Sequence, residues 1–214
     1  MQDVVNLLII EIFFKNPLFW IVIIAGIACL LWYKQIVGKA GEYWTKKELK
    51  KLGKGYLIIN DLMIRTEDKK THQIDHVVIS KFGIFVIETK QYDGYITGND
   101  YDKKWCMKAG KNKLYINNPV HQNYGHIKAL QEVLKLNEKK FISIICMSGN
   151  AKLKIKSNKV IKVNDITDKI KSYQNILIDN CEEIYNELRN INITDRKQKN
   201  KHNREIKKAL KGNK

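Results

Sequence analysis

The feature that most limits how this chain can fold is a pair of apolar runs, residues 76–80 and 84–89, joined by Lys81-Phe82-Gly83. Valine, isoleucine and phenylalanine dominate both runs, and such residues favour the pleated, half-buried surface of a β-strand. Gly83 can adopt the positive φ that a tight connection between antiparallel strands needs. We therefore predict a β-hairpin within residues 73–90.

The strands of the predicted hairpin carry four ionisable residues among their core residues: Asp75, His76, Glu88 and Lys90. Charge on a mostly buried strand is costly unless it is paired or holds a metal. Side chains two apart on a strand share a face, so Glu88 and Lys90 point the same way. With Asp75 near the open end of the partner strand, one face would present two carboxylates and an ammonium, while His76 would face the other side.

Two carboxylates beside a lysine suit the metal-assisted hydrolysis of a phosphodiester. Asp75 and Glu88 are the predicted ligands of Mg²⁺ or Mn²⁺, because these hard cations take oxygen ligands. The ion would lower the pKa of a bound water and neutralise charge on the phosphoryl oxygens. Lys90 would orient the attacking water or stabilise that charge. The alternative from these residues alone is an ion pair on a solvated strand, without catalysis.

Asp75 followed by Glu88-Thr89-Lys90 resembles the Asp…(Asp/Glu)-x-Lys signature of the restriction-endonuclease-like, or PD-(D/E)xK, nucleases. A longer ordered series is similar to the nuclease-related domain (NERD) family. It consists of Gly41-Glu42, Ile74-Asp75-His76, residues 83–90, Gly94, Trp105 and Asn118-Pro119…Gln122-Asn123…His126. The resemblance covers roughly residues 38–136, and it implies an α/β fold in which a restriction-endonuclease-like mixed β-sheet is flanked by helices.

The resemblance also implies two further site residues. A glutamate on the first helix of these families sits close to the metal, which points to Glu42, and a glutamine near the carboxylates points to Gln122. Glu42 is equally consistent with a first-turn residue favoured by the helix dipole. Gln122 could touch phosphate or a metal-bound water, whereas His126 is better interpreted as a polar position on an early helical turn.

A second strong pattern is the run of 18 uncharged residues at 16–33. As a helix it would span about 27 Å, close to the hydrocarbon thickness of a bilayer, and Trp20, Trp32 and Tyr33 match aromatic belts. We predict an N-terminal transmembrane helix over about residues 16–33; a buried core helix and a cleaved signal peptide are the alternatives. Lysines concentrate after this run, so the positive-inside rule predicts a single-pass protein of the cell membrane whose C-terminal domain is cytoplasmic.

Periodicity and turn residues divide the rest of the chain. We predict helices at residues 38–52, 120–136, 165–173 and 179–191, and further strands at 56–64, 95–98, 104–108, 114–116, 141–147 and 159–163. The predicted parts are a membrane anchor at 1–37, a nuclease-related domain with a C-terminal helical extension at 38–192, and a flexible basic tail at 193–214.

The net charge of +17 favours polyanionic partners, either nucleic acid or anionic lipid headgroups. The chain has no G-x-x-x-x-G-K-[ST], H-E-x-x-H or G-x-S-x-G motif, so it lacks the signatures of nucleotide motors, zinc proteases and α/β-hydrolases. We hypothesise a membrane-anchored, metal-dependent nuclease, with DNA as the expected substrate. The alternative is a non-catalytic, membrane-tethered module of the same fold that binds nucleic acid or anionic lipid; the oligomeric state is open.

Overall fold

A computed structural model of the chain describes residues 14–195, 197–199, 202 and 204, apart from the side chains of residues 31, 34 and 35. The chain forms two compact units, divided between Ala40 and Gly41. Part of the predicted anchor, residues 1–13, and most of the predicted basic tail lie outside the described residues.

One long helix, α1 (Pro17–Leu49), replaces the two separate helices predicted at 16–33 and 38–52. Asn16 Oδ1 accepts a hydrogen bond from Leu18 N at its start, and no proline interrupts the helix after Pro17. Within the described part of the chain, no helix combines the length and apolarity needed to cross a membrane. The predicted span at 16–33 therefore has no support from the fold.

The larger sheet consists of β1 (Leu57–Arg65), β2 (Thr71–Ser80), β3 (Gly83–Gln91), β7 (Phe141–Ser148) and β9 (Val160–Lys162). These five strands lie in the order β1-β2-β3-β7-β9. The predicted hairpin is confirmed: β2 and β3 pair antiparallel, and Gly83, the first residue of β3 after the turn, has a φ of 136°. The parallel neighbours β7 and β9 make the sheet mixed.

A second sheet of four strands, in the order β6-β5-β4-β8, was not predicted as a separate sheet. Its strands are β4 (Tyr95–Asn99), β5 (Lys104–Ala109), β6 (Asn112–Asn117) and β8 (Lys152–Lys156). One face packs Ile96 and Trp105 against Val120, Ile145 and Met147. The strand β8 has no counterpart among the predicted elements.

Helices cover both faces of the larger sheet. They are α1, α2 (Pro119–Leu134), α3 (Ile166–Lys171) and α4 (Cys181–Ile191). Leu130 of α2 and Leu188 of α4 share one core cluster with Val86, whereas Leu49 of α1 and Ile170 of α3 pack on the opposite face. The predicted fold class, a mixed α/β architecture with helices flanking the sheet, is confirmed at this level.

Candidate active site

The candidate site lies where β2 and β3 separate. Their ladder ends at the pair His76–Ile87. Beyond it, Thr89 N donates a hydrogen bond of 2.8 Å to Asp75 Oδ2, so a carboxylate satisfies a backbone donor of β3 where the pairing with β2 has ended. We call Asp75, Glu88 and Lys90 at this point the strand fork.

Glu88 and Lys90 share one face of β3, as predicted from their spacing. Glu88 is buried, with 2% of its surface exposed, and Lys90 Nζ lies 2.5 Å from Glu88 Oε1. Lys90 Nζ also donates to Oε1 of the exposed Gln122 at 3.0 Å. The structure therefore brings Gln122 of α2 to the strand fork.

His126 is a site residue that the sequence interpretation missed. Its Nε2 lies 3.3 Å from Glu88 Oε2, and its side chain is buried, with 10% of its surface exposed. Because His126 follows Gln122 by four residues, both side chains lie on one face of α2. That spacing was the available signal, but the spacing does not show that this face of α2 meets Glu88.

Burial and mutual charge push the pKa values of the two carboxylates apart. Burial and the nearby charge of Glu88 raise the pKa of Asp75 well above its ordinary value. Burial also disfavours ionised Glu88, but Lys90 and His126 outweigh it and lower the pKa of Glu88. For Lys90, burial opposes the charge, yet the attraction of Glu88 prevails and raises its pKa. Glu88 and Lys90 are thus held as an ion pair, whereas the surroundings of Asp75 oppose its ionisation.

Glu42 lies on α1 immediately after a close approach of that helix to the larger sheet. A side chain at position 41 would overlap Ser148 Oγ and press on Gln91. Gly41 therefore lets α1 pass near the C-terminal ends of β3 and β7. The charge of Glu42, which is exposed, adds to the repulsion that raises the pKa of Asp75. The structure thus places Glu42 within electrostatic range of the strand fork.

Two asparagines fix α2 over this site. Asn118 caps the helix by accepting from Val120 N at 2.9 Å, and its Nδ2 donates to Asp102 O at 2.7 Å. Asn123 Nδ2 donates to Val86 O at 2.8 Å and to Ser143 Oγ at 2.8 Å. Capping and buried side-chain hydrogen bonds of this kind resist sliding of the helix, so Gln122 and His126 are held in place.

His76 follows the expectation that it is not part of the fork. Its Nδ1 lies 2.8 Å from Asn60 Oδ1 on the neighbouring strand. Burial, with a contribution from Lys46, lowers the pKa of His76 to about 4. His76 is therefore held neutral at physiological pH.

The donor set at the strand fork fits a hard divalent cation. No three His, Cys, Asp or Glu side chains among the described residues form a ready metal centre. Mg²⁺, however, is commonly held by one or two carboxylates, with waters and substrate phosphates completing its shell. Asp75 and Glu88 repel each other. A cation between the two carboxylates would reduce that repulsion.

The fold and this site define an α/β domain with two acids and a lysine gathered at the fork of two strands. Residues 37–148 match the nuclease-related domain family, and the chain belongs to this family. The match confirms the resemblance seen in the sequence and is consistent with a relationship to the PD-(D/E)xK nucleases. An uncharacterized protein of Bacillus anthracis, pXO1-01, is 36% identical over 173 residues, which are 77% of this chain and 81% of that protein. No solved structure matches the chain.

Proposed function

We propose that this protein is a metal-dependent nuclease that hydrolyses phosphodiester bonds in nucleic acid, on a restriction-endonuclease-like version of the α/β fold. The observation that carries the proposal is the convergence of Asp75, Glu88 and Lys90 at one point of the larger sheet, with Lys90 Nζ 2.5 Å from Glu88 Oε1. Membership of the nuclease-related family supports the same conclusion.

Each residue has a role that follows from its surroundings. Asp75 and Glu88 would hold Mg²⁺ or Mn²⁺, which when bound lowers the pKa of a water and neutralises charge on phosphoryl oxygens. Lys90 carries a positive charge for the developing phosphate oxygens. Gln122 positions Lys90 by accepting a hydrogen bond from its ammonium, and Glu42 contributes negative charge from α1.

The test is cleavage by the full chain of plasmid, single-stranded DNA and single-stranded RNA, with Mg²⁺ or Mn²⁺ and with chelator. We expect divalent-dependent cleavage that falls by about 100-fold or more in Asp75→Asn and Glu88→Gln, the size typical for removing a group that stabilises a transition state. Glu182→Gln, an exposed carboxylate on α4, is the matched control and should cleave like the wild type. Binding without cleavage would instead support the non-catalytic module.

Attachment to lipid is a separate part of the proposal. Exposed apolar side chains crowd the first half of α1, including Leu18, Ile21, Val22, Ile24, Ile27 and Leu30. Exposed apolar patches of this kind mark contact with partners or membranes, and the lysines that follow in the sequence favour a cytoplasmic position for the nuclease-related domain. We expect the full chain to float with lipid vesicles through an alkaline carbonate wash. Release of the chain by that wash would contradict lipid insertion.

A further inference from the structure

The outward face of the second sheet carries lysines in a regular array. Because side chains alternate along a strand, each strand contributes three positions to this face, and cross-strand pairing arranges them in rows. One row is Lys113, Lys108, Tyr95 and Lys152, and the next is Tyr115, Cys106, Thr97 and Lys154. Asn117 pairs with Lys104, and Asn99 pairs with Lys156, at the end of the array. We call this array the lysine face.

The lysine face is cationic and unpaired. It holds six lysines, all exposed, and no acidic residue occupies any of its twelve positions. None of the six lies within ion-pair distance of a carboxylate among the residues that the structure describes. Lysines elsewhere in the described chain do form ion pairs, such as Lys128 with Glu138 and Lys159 with Asp100.

Protection of sheet edges does not explain these lysines. Lysine on an edge strand discourages pairing with another chain, and this could account for β6 and β8. Lys104 and Lys108, however, lie on β5, which is paired on both sides by β4 and β6. Lys108 also lies directly opposite Lys113, an arrangement of like charges that costs stability. A polyanionic partner would offset that cost.

Two tyrosines stand among the lysines. Tyr95 is 47% exposed and Tyr115 is 64% exposed, and Lys152 Nζ lies 5.3 Å from the ring centroid of Tyr95. A sheet face that combines exposed aromatic rings with cations suits single-stranded nucleic acid, because lysines meet phosphates while rings stack on unpaired bases. Lipid headgroups offer the phosphates but no bases for the rings.

The lysine face is also close to the strand fork along the chain. Tyr95 follows Lys90 by five residues, so their Cα atoms are separated by at most about 18 Å. At about 3.4 Å per nucleotide along one strand, that distance corresponds to roughly five nucleotides. A nucleic-acid strand bound at the strand fork therefore needs to extend by only a few nucleotides to reach the lysine face.

From this geometry we infer that the lysine face binds a single-stranded segment of nucleic acid, with the lysines on its phosphates and Tyr95 and Tyr115 stacked on its bases. The inference rests on the proposed nuclease function for the identity of the substrate, but binding at this face does not require cleavage.

The test is fluorescence anisotropy of the full chain with labelled single-stranded and duplex oligonucleotides in chelator, over a series of salt concentrations. We compare the wild type with the row variant Lys108→Gln/Lys113→Gln/Lys152→Gln. Its matched control, Lys139→Gln/Lys162→Gln/Lys171→Gln, removes the same charge from exposed positions on other elements. The slope of log affinity against log salt should fall by about two for a single strand in the row variant, since each lost phosphate contact lowers it by about 0.7. The control should keep the wild-type slope to within about half a unit.

The tyrosines are tested by Tyr95→Ala/Tyr115→Ala, with Tyr101→Ala, 92% exposed, as the control. We expect binding of the single strand to weaken by about 30-fold or more, while the affinity for the duplex is unchanged. Thermal unfolding of every variant verifies that these exposed substitutions leave the fold intact.

Any of three results would overturn the inference. The row variant could keep the wild-type dependence of affinity on salt, or Tyr95→Ala/Tyr115→Ala could leave single-strand affinity unchanged. The third result is a row variant that loses binding to phosphatidylserine vesicles but retains binding to nucleic acid.

Failure of the proposed function is recognised separately. If the wild type does not cleave, yet the row variant and the tyrosine pair weaken single-strand binding as described, the lysine face stands and the nuclease proposal falls.

Discussion

The strand fork and the lysine face place charge in opposite environments. At the fork, Glu88 and Lys90 are largely removed from water and pair with each other. On the lysine face, six lysines are exposed, and no acidic residue occupies any of the twelve positions. Burial makes each charge depend on its neighbours, so the fork can shift pKa values and orient reacting groups. Exposure leaves charges screened and nearly independent, so the face can attract a polyanion without fixing its sequence.

The largest expected contrast is between two lysines. Lys90→Gln should lower the cleavage rate at saturating substrate by about 100-fold or more, because it removes the cation beside Glu88. Lys154→Gln, on the lysine face, should change that rate by less than about twofold and act on the KM instead. Single-turnover kinetics with both variants measures this. Equal losses of rate would mean that the two regions do not differ in role.

The second contrast compares buried and exposed asparagines. Asn123→Ala removes donors to Val86 O and Ser143 Oγ from a fully buried position, and should lower the free energy of unfolding by about 2–3 kcal/mol. Asn117→Ala, at an exposed position of β6, should change it by less than about 0.5 kcal/mol. Urea denaturation gives both values. A small loss for Asn123→Ala would show that α2 is held over the site by other contacts.

The third prediction concerns the carboxyl group of Asp75. The folded-state pKa of Asp75 is raised by burial and by Glu88, so its contribution to stability is present at low pH and lost as pH rises through that pKa. In Asp75→Asn the side-chain amide cannot ionise, and its oxygen can still accept from Thr89 N. This variant should therefore be more stable than the wild type without metal, by about 1 kcal/mol at pH 8 and by less at acid pH. Chemical denaturation at both pH values measures the difference, and a variant less stable than wild type at pH 8 would refute the repulsion.

The smallest expected effect belongs to the lysine face. Lys108→Gln removes one of two like charges that face each other across β5 and β6. The free energy of unfolding should rise by a few tenths of a kcal/mol at low salt, and the gain should vanish at high salt. Thermal melts at two ionic strengths measure it. A loss of stability on substitution would mean that Lys108 has a structural partner.

Much of the fold could be predicted from local patterns. The hairpin follows from two β-branched runs around Gly83, and β7 follows from the apolar run at residues 141–147. By contrast, β8 is a strand in which lysine alternates with leucine and isoleucine, and so many charges resemble a solvated loop. Its pairing with β4 joins residues more than 50 positions apart, so no local signal indicates it. The continuity of α1 was not predicted, because the apolar run ends at Tyr33 and a separate helix was expected from Gly38.

The residues of the candidate site were also predictable only in part. The spacing of Glu88 and Lys90 fixes their common face, and family resemblance supplied Glu42 and Gln122. Sequence alone could not place His126, since its distance of 3.3 Å from Glu88 depends on how α2 packs on β3. The lysine face required the register of four strands, one of them unpredicted. Positions that share one strand were therefore predictable from the residues alone, whereas positions brought together by tertiary packing were predicted only where the family resemblance indicated them.

The central claim is that Asp75 and Glu88 together hold a divalent cation. The most direct test is the binding of Mn²⁺ to the full chain, followed by the electron paramagnetic resonance signal of the free ion, in the wild type, Asp75→Asn, Glu88→Gln and the control Glu182→Gln. We predict one saturable site, competed by Mg²⁺, in the wild type and the control, and at least tenfold weaker binding in both fork variants. Binding that is equally strong in all four proteins, or absent from the wild type with nucleic acid present, would contradict the account.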